Sequence, residues 1–417
     1  MAKKVLVVGS GGREHAIVKS LAKSAKVNKI YCAPGNAGIS EDAECIDLSA
    51  TDLEGLVNFA QRHKIDLVVI GPEAALEAGL ADAMKKAGIK VFGPSKAATQ
   101  IESSKEFAKE LMGKYHIPTA GYASFNNFDK AIEYVKSRPL PSVIKYNGLA
   151  AGKGVVIANT YEEAEETLKE MLLKHSFGKG NVIIEDFLEG PEFSFMCFVN
   201  GSKVYPLELA QDHKRAFDGD NGPNTGGMGA YSPVPFISSA IKEKALNEIM
   251  VPVAEALEKE KVPFCGVLYG GLILTNEGPK VIEFNARFGD PETEVILPRL
   301  ESDLFEFIEA VLEEKDFIPQ WSRDSVLGIV LASKGYPGKY SKGDIIYGLE
   351  NIKGDVFHMG TIKENDAYKT AGGRVLMVTG RGDDLVEANI NALNEIKLID
   401  CVSLFHRTDI GKAALSL

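Results

Sequence analysis

The stretch Lys-Val-Leu-Val-Val-Gly-Ser-Gly-Gly-Arg-Glu-His, residues 4–15, decides the fold at the start of this 417-residue chain. Its first six residues are a short β-branched run, which is typical of a strand buried on both faces of a parallel sheet. Gly9, Gly11 and Gly12 then indicate a turn, and a helical pattern follows through Ile17. Strand, glycine turn and helix together point backbone N–H groups at a phosphate, so the stretch predicts an anion-binding turn.

Further short apolar runs continue this pattern over the first hundred residues. They predict strands at residues 29–33, 67–71 and 90–92. Alternating strands and helices indicate a doubly wound parallel α/β domain over residues 1–102. Glu14 replaces the third glycine of the dinucleotide fingerprint, and the second strand ends in proline and glycine instead of an acid, which disfavours NAD. Ligands bind beyond the carboxyl ends of such strands, so the loop at Glu73 is a candidate binding loop; a tight turn or helix start is the alternative.

A second glycine-rich segment lies between predicted strands at residues 142–146 and 155–159. Its tip, residues 147–154, is longer than a chain reversal requires. Small residues let the backbone approach a ligand closely, and Lys145 and Lys153 add positive charge. We interpret the segment as a flap over nucleotide phosphates; the alternative is a flexible loop with a solvated lysine.

The strand that ends at Asn285 carries a candidate metal site. Alternation along a strand points Ile282 and Phe284 into the core and leaves Glu283 and Asn285 together on the opposite face. A carboxylate and an amide oxygen two residues apart form a partial shell for Mg²⁺, which phosphates and water would complete. Arg287 follows, a planar cation suited to anions. The alternative is a polar strand end that runs into a surface turn.

Two polar segments lie between the flap and this strand. A predicted strand at residues 181–187 runs into an acidic connector that ends at Glu192. Such a connector suits an adenine slot with a carboxylate at the ribose, although it is more often a plain link.

Residues 211–231 form a glycine-rich segment, which is too long and too poor in apolar residues to be a core element. Loops of this length are usually functional or disordered, and we interpret this one as functional.

The remaining patterns set the domain organisation. The longest helical patterns cover residues 96–116, 161–174, 238–259 and 384–397. Residues 103–325 form the expected central domain, with a flap subdomain at about residues 120–190. Residues 326–417 predict a small α+β domain, in which His406 and Arg407 are expected at the surface; the alternative is that they reach the ligand cleft.

Composition excludes several function classes. The formal net charge of −11 leaves no general basic surface for nucleic acid. No stretch approaches the roughly 18 apolar residues that span a bilayer, and the first ten residues read as a strand instead of a signal peptide. We therefore expect neither nucleic acid nor a membrane as a partner.

The cysteines are odd in number and scattered without a CxxC pair, which favours a reducing cytoplasm: Cys32, Cys45, Cys197, Cys265 and Cys401.

The order of these features resembles the ATP-grasp superfamily. Five strings resemble the phosphoribosylamine–glycine ligase family within it: residues 8–15, 145–154, 211–215, 222–229 and 285–292. The resemblance covers essentially the whole chain. It implies an N-terminal doubly wound parallel α/β (PreATP-grasp) domain, a central ATP-grasp fold of two α+β subdomains, and a small C-terminal α+β domain.

The resemblance also implies a reaction. ATP, glycine and 5-phosphoribosylamine would give ADP, phosphate and glycinamide ribonucleotide through a glycyl phosphate, an early step of purine synthesis. The cofactor would be Mg²⁺ or Mn²⁺, the partners small molecules, the location the cytoplasm, and the protein a monomer or a weak dimer.

Residue roles follow from matching positions in the family's motifs. The ATP-binding residues would be Lys105, Lys145, Gly148, Gly152, Lys153, Gly154, Glu185, Phe187, Leu188 and Glu192. The metal ligands would be Glu283 and Asn285, and the catalytic residues Arg287, for charge on the transferring group, and Asp212, for the glycine ammonium. The second substrate would contact Lys214, Arg215, Asn224, Thr225, Gly226, Gly227 and Met228. The phosphoribosyl part would contact Gly9, Gly11, Gly12, Arg13 and Glu73.

Three rival hypotheses remain at this stage. The first is another ATP-grasp carboxylate–amine ligase with different substrates. The second is a nicotinamide-dependent dehydrogenase, which leaves the flap and the acid–amide pair unexplained. The third is a nucleotide sensor that binds ATP without turnover.

Overall fold

A doubly wound domain forms the first hundred residues, in the computed structural model that describes residues 2–148, 154–412 and 414. Its strands are β1 (Lys3–Gly9), β2 (Val27–Pro34), β3 (Glu44–Cys45), β4 (Leu67–Ile70) and β5 (Val91–Phe92). Its helices are α1 (Gly12–Ala22), α2 (Leu53–His63), α3 (Glu73–Ala78) and α4 (Leu80–Lys86). The sheet is parallel throughout, in the order β3–β2–β1–β4–β5, and apolar side chains of β1 are buried on both faces. The predicted fold of this domain is confirmed.

The predicted helix over residues 96–116 is two helices, α5 (Gln100–Ser103) and α6 (Lys105–Lys114). Ser104 between them is extended, with φ −125° and ψ 103°, and its hydroxyl accepts a hydrogen bond from Phe107 N at 3.2 Å. This is an N-cap, which satisfies an otherwise unpaired N–H and restarts the helix. Lys105 therefore stands in the first turn of α6.

The flap subdomain has its own sheet and core. Its elements are β6 (Tyr122–Phe125), α7 (Phe128–Lys136), β7 (Ser142–Tyr146), β8 (Val155–Ala158), α8 (Tyr161–Leu168) and β9 (Val182–Asp186). A π-helical stretch, Lys169–Leu173, prolongs α8. The sheet is antiparallel in the order β6–β9–β7–β8, and the two helices pack their apolar faces together against it.

A nine-stranded sheet joins the remaining residues. Its central part contains β10 (Glu192–Asn200), β11 (Lys203–Asp212), β14 (Gly229–Ser232), β15 (Cys265–Thr275) and β16 (Gly278–Asn285), with the hairpin β12 (Arg215–Phe217) and β13 (Asn221–Asn224) outside it. The helices of this part are α9 (Ser239–Ala245), α10 (Val251–Lys259), α11 (Thr293–Ile296) and α12 (Leu304–Leu312). A π-helical turn, Leu246–Met250, connects α9 to α10, so the predicted long helix is continuous.

The C-terminal residues add further strands to the same sheet. The elements are β17 (Ser325–Ser333), β18 (Ile345–Ile346), β19 (Val356–His358), β20 (Thr361–Glu364), β21 (Ala367–Thr370), β22 (Arg374–Gly382), α13 (Leu385–Ile396) and β23 (Leu404–Phe405). The order is β16–β15–β10–β11–β14–β17–β22–β19, with β23 paired to β17; β18, β21 and β20 form a separate small sheet. The predicted α+β character of this part is confirmed.

Strand β14 corrects the interpretation of residues 211–231 as lying outside the core. All four of its residues are buried, and it pairs with β11 on one side and β17 on the other. The strand is short and contains glycine, alanine and serine, so its β-propensity is low. Pairing on both sides holds it in place, and this long-range stabilisation is invisible in the local pattern.

A bulge in β16 corrects the predicted orientation of Ile282. Leu272 pairs with Val281 and Gly271 with Glu283, so Ile282 is an extra residue on this strand. Val281 and Phe284 are buried, whereas Ile282 is only half-buried. An inserted residue breaks the alternation of faces and leaves its own backbone groups outside the ladder.

No helix among residues 2–148, 154–412 and 414 has the length and apolar character needed to cross a membrane.

Candidate active site

Two lysines hold one buried carboxylate where the flap sheet meets α6. Lys145 Nζ lies 2.9 Å from Glu185 Oε1 and donates to the carbonyl of Ile282 at 3.0 Å. Lys109 Nζ lies 2.9 Å from Glu185 Oε2 and donates to Thr119 at 2.8 Å. Burial lowers the pKa of Lys109 to about 8, although the Glu185 carboxylate opposes this shift. Glu185 is therefore a counter-ion that fixes the position of Lys145.

Lys105 lies at the base of the flap. Its ammonium donates to the carbonyl of Gly148 at 2.9 Å, and Tyr146 N donates to the carbonyl of Gly154 at 2.8 Å, which closes the hairpin. Burial lowers the pKa of Lys105; the Glu283 carboxylate opposes this shift and Lys145 adds to it. Gly152 and Lys153 lie outside the described residues.

The connector after β9 carries the residues predicted to frame adenine. Phe187 is exposed and Leu188 is half-buried, directly beyond Glu185 in the chain. Glu192 is exposed at the start of β10. Phe187 and Glu192 are thus open to solvent, and Leu188 is partly so, which leaves all three accessible to a ligand.

The acid–amide pair lies at the end of β16. Glu283 and Asn285 are both half-buried and share one face, and Asn285 Oδ1 accepts from Arg287 Nη2 at 3.2 Å. Within the described ranges no group of three or more His, Cys, Asp or Glu side chains is arranged to hold a metal ion. Two oxygen donors from the protein fit Mg²⁺ or Mn²⁺ bound chiefly through phosphate and water.

Arg287 lies between two acids from two other segments. Its Nη2 is 3.2 Å from Glu102 Oε1 and its Nε is 3.5 Å from Glu73 Oε2. Glu102 Oε2 accepts from Ala286 N at 2.7 Å. Burial raises the pKa of Glu102, while Arg287 and this backbone donor oppose the shift. Glu102 thus orients both the backbone and the side chain of the arginine segment.

The glycine turn of the first domain faces these acids. Arg13 Nε lies 2.7 Å from Glu14 Oε1, its Nη2 lies 3.4 Å from Glu73 Oε2, and its Nη1 donates to the carbonyl of Phe288 at 3.4 Å. Gly11 N donates to Glu14 Oε2 at 2.6 Å. Gly9 has φ +131°, and a Cβ there would lie 2.5 Å from Glu14 Cδ. The buried Glu14 carboxylate therefore accounts for part of the glycine requirement in this turn.

Glu294 lies beneath the same turn. It is fully buried, and neither carboxylate oxygen has a hydrogen-bond partner among the residues that the structure describes. Burial raises its pKa well above the ordinary value, and the charge of Asp290 adds to the shift. A side chain on Gly12 would overlap this carboxyl group, so Gly12 is required for packing.

A second acid–lysine group lies where β11 ends. Lys214 Nζ is 3.1 Å from Asp212 Oδ1 and 3.3 Å from Glu192 Oε2. Burial disfavours the charged form of Lys214, but these two carboxylates outweigh it and raise its pKa well above the ordinary value. Glu292 lies nearby and accepts from Tyr269 OH at 2.8 Å; burial raises its pKa, and Asp212 adds to the shift.

The glycine-rich segment beyond Lys214 is fixed by backbone contacts. Thr225 donates from its N–H and its hydroxyl to the carbonyl of Lys214, at 2.7 and 2.8 Å. Arg374 Nη1 donates to the carbonyl of Gly226 at 2.7 Å and lies 2.9 Å from Asp290 Oδ1. The segment is thereby held between the lysine group and the C-terminal residues.

The other residues predicted to contact the second substrate differ in accessibility. Arg215 and Asn224 pair across the exposed hairpin. Gly227 has φ +112°, and a Cβ there would lie 2.5 Å from Pro291 Cδ. The side chain of Met228 is fully buried, and its backbone N–H and carbonyl bond to His213 and Val330.

Contacts between segments far apart in sequence bring together most of the predicted site residues. They also include residues that the sequence patterns did not predict. The additions are Glu102, Lys109, Tyr269, Glu292, Glu294 and Arg374. Lys109 follows Lys105 by one helical turn, and that spacing was a usable signal. The expectation that Arg407 is a surface residue is wrong, since it is 1% exposed. His406 is half-buried.

Comparison with known families matches three models along the chain. They are the N domain of phosphoribosylglycinamide synthetase at residues 3–102, its ATP-grasp (A) domain at 103–293 and its C domain at 326–413. A phosphoribosylamine–glycine ligase of Halalkalibacterium halodurans is 52% identical over 416 residues, covering 99% of this chain and 97% of the relative. A ligase of the same name from Listeria monocytogenes serotype 4b is 50% identical over 417 residues, covering 98% and 99%.

Solved structures give the same picture. The crystal structure of a phosphoribosylamine–glycine ligase from Thermotoga maritima has a TM-score of 0.86 and 35% identity, covering 98% of this chain and all of that one. The biotin carboxylase domain of a Hydrogenobacter thermophilus 2-oxoglutarate carboxylase, solved with MgADP, has a TM-score of 0.75 at 16% identity, covering 97% and 92%. The latter likeness shows a shared fold alone.

Proposed function

The chain belongs to the phosphoribosylglycinamide synthetase family, and from that membership we propose that it ligates glycine to 5-phosphoribosylamine. The reaction consumes ATP and gives glycinamide ribonucleotide, ADP and phosphate, a step of purine biosynthesis. The named relatives share about half of their residues with this chain over nearly its full length, and they carry the name of this ligase.

The observation that carries the proposal is the meeting of three charged groups from three separate segments. Lys145 reaches the backbone next to Glu283, since its ammonium donates to the carbonyl of Ile282 at 3.0 Å. Burial lowers the pKa of Lys105, with the Glu283 carboxylate acting to raise it and the Lys145 ammonium to lower it, so both charges act on Lys105. Two ammonium groups beside a carboxylate that can hold a cation suit a triphosphate, whose charge must be neutralised during transfer.

The chemistry requires activation of the glycine carboxylate. A carboxylate is a poor electrophile, and transfer of the γ-phosphoryl group of ATP to it gives an acyl phosphate. The amine of phosphoribosylamine then attacks the acyl carbon and releases phosphate. Such transfers depend on positioning and charge stabilisation, so no nucleophilic side chain is needed.

We assign the roles by position. Lys105 and Lys145 bind phosphate oxygens, and Arg287 stabilises charge on the transferring group. Glu283 and Asn285 hold Mg²⁺ or Mn²⁺, which, when bound, neutralises phosphate charge. Phe187, Leu188 and the backbone near Glu185 frame the adenine, and Glu192 binds the ribose, as the resemblance implies.

The second acid–lysine group provides the glycine site in this proposal. Asp212 accepts the glycine ammonium, and Lys214 lies against the same carboxylate. The segment over residues 224–229 and the turn with Arg13 and Glu73 contact phosphoribosylamine. We further propose a cytoplasmic monomer or weak dimer; the five cysteines are free, as the expectation of a reducing compartment requires.

The test is ADP release by the purified protein with ATP, Mg²⁺, glycine and phosphoribosylamine formed from ribose 5-phosphate and ammonia. We expect ADP release to require glycine and the amine together, and glycinamide ribonucleotide to appear in equal amount by mass spectrometry. Turnover that is independent of glycine, or that prefers another small amino acid, would contradict the substrate assignment while leaving an ATP-grasp ligase.

A further inference from the structure

The C-terminal tail, residues 406–411, is bonded to the hairpin β12–β13 beside the proposed glycine site. Arg407 is the largest fully buried side chain among the described residues. Its Nη1 donates to the carbonyl of Arg215 at 3.0 Å and lies 2.9 Å from Asp220 Oδ1. One guanidinium of the C-terminal part thus binds both the first strand of the hairpin and its turn.

Neighbouring residues of the tail reinforce this attachment. Asp409 accepts from Arg407 with both oxygens, at 2.7 and 2.9 Å, which fixes the plane of the guanidinium. Asp409 Oδ2 also accepts from Gly219 N at 2.7 Å. Asp218 accepts from the N–H and the hydroxyl of Thr408, at 2.8 and 2.6 Å. The tail therefore contacts the hairpin through three consecutive residues.

A short covalent and hydrogen-bonded path leads from this attachment to the site. Arg215, whose carbonyl Arg407 holds, directly follows Lys214 in the chain. The carbonyl of Lys214 accepts both bonds from Thr225, and its ammonium lies between Asp212 and Glu192. Displacement of the Arg215 carbonyl would therefore displace Lys214 relative to Asp212.

We propose that Arg407 is a positioning residue for the proposed ligase, acting through the hairpin to hold Lys214 and Asp212 in the arrangement that binds glycine. The inference rests on the proposed function for its catalytic consequence. The restraint of the hairpin stands on the contacts alone. Arg407 touches no residue assigned to the nucleotide. Lys214 also lies 3.3 Å from Glu192, which is assigned to the ribose, but Glu192 is exposed whereas Asp212 is largely buried, so the larger effect falls on the glycine side of the site.

Substitution of the tail and of the hairpin separately tests the proposal. Arg407→Lys keeps the charge but loses the bidentate contact with Asp409. Asp218→Ala removes the two bonds from Thr408 and leaves the C-terminal core untouched, so it remains informative if Arg407→Lys fails to fold. Arg381→Lys and Asp316→Ala are matched controls, because both residues make exposed ion pairs whose partners, Asp324 and Lys203, lie outside the hairpin and the tail.

We expect both test variants to raise the KM for glycine by about tenfold, a size typical of a displaced substrate-positioning group, with the KM for ATP within about twofold of wild type. The controls should match wild type in both constants. Equal glycine KM values in test and control variants would overturn the proposal. So would a fall in kcat with unchanged glycine KM, which indicates a purely structural role.

A second measurement does not depend on the reaction. Trypsin cleaves after Lys214 and Arg215, and release of the hairpin should speed cleavage there by about tenfold in the test variants relative to the controls, because cleavage follows the population of the open form. Masses of the two fragments identify the position. Equal cleavage rates would refute the restraint. Faster cleavage in a protein that shows no glycine-dependent turnover would retain the restraint and reject the proposed function.

Discussion

Single residues set the chemistry of the site through their immediate neighbours. Glu185 illustrates this, because its two oxygens face Lys145 and Lys109 at 2.9 Å each. A buried charge needs such partners to be tolerable, and loss of one partner leaves the others uncompensated. Glu283 differs, since it is half-buried at the end of its strand and its charge is available to a ligand.

Glu283→Gln tests the metal assignment at the scale of one residue. The change removes a charge but almost no volume, so we expect normal folding and a fall in kcat of about a hundredfold or more, as for other lost electrostatic contacts at a reacting centre. ADP release across a Mg²⁺ titration measures the effect. Glu277→Gln, an exposed acid of the same β-hairpin paired with Lys280, is the control. Near-normal turnover in Glu283→Gln would refute the assignment.

Sequence patterns predicted the residues that belong to local motifs and missed those that act across segments. Lys145 was found because a glycine-rich tip follows it, and Glu283 because Asn285 lies two residues later. Glu102 carries no such signal, since its partner Arg287 is 185 positions away and only folding brings the two together. Ile282 was misplaced because a bulge is set by pairing with β15, which alternation along one strand does not reveal.

Individual elements place these residues by where they begin and end. The N-cap Ser104 starts α6 at Lys105, and the resulting helix also carries Lys109, four residues later on the same face. The orientation of Lys105 and Lys109 therefore depends on the N-cap hydrogen bond of Ser104.

Ser104→Ala tests this connection. Loss of the cap should lower the free energy of unfolding by about 1 kcal/mol and raise the KM for ATP severalfold. Denaturant unfolding and steady-state kinetics measure the two effects. Asn127→Ala removes the equivalent side-chain cap of α7, outside the site, and should cost similar stability with no change in the KM for ATP. The same KM effect in both variants would show that stability alone is responsible.

Strand β14 gives a second test at the scale of an element. A Cβ on Gly229 would lie 2.6 Å from the carbonyl oxygen of Gly328 in β17, too close for any side chain. Gly229→Ala should therefore lower the unfolding free energy by about 1–3 kcal/mol, as overpacking does. Gly113→Ala in α6 meets only Tyr122 Oη at 3.7 Å and should be neutral or stabilising. Equal midpoints of thermal unfolding in the Gly229→Ala and Gly113→Ala variants would contradict the central position of β14.

At the scale of the whole molecule, the first and last parts of the chain meet through two buried histidines. His358 N donates to His15 Nδ1 at 2.9 Å, and Asn36 Nδ2 donates to the carbonyl of His358 at 2.7 Å. Burial lowers the pKa of His358 to about 4 and that of His15 well below its ordinary value. Both rings are therefore neutral at this contact near pH 7.

Acidification should weaken this contact. The folded pKa of His358 lies below the unfolded value of about 6.5, so the unfolded chain binds more protons and stability falls as pH drops from about 6.5 through about 4. The shift corresponds to at most about 3 kcal/mol for this residue. Thermal unfolding between pH 7.5 and 4.5 (about three units) measures the slope, which should be smaller in His358→Gln. An unchanged slope in that variant would reject the assignment to His358.

The continuous sheet from β16 to β19 limits which part of the molecule can move to admit a nucleotide. Backbone hydrogen bonds between β14 and β17 join the C-terminal strands to the central strands, so a rotation of the C-terminal part would break the sheet. The flap subdomain has its own sheet and contacts the rest of the molecule through two lysines. Lys145 of β7 donates to the carbonyl of Ile282, and Lys105 of α6 donates to the carbonyl of Gly148 in the flap. We therefore expect the flap subdomain to be the part that moves when a nucleotide enters. The incoming phosphates release it because they are stronger partners for Lys105 and Lys145 than these carbonyls.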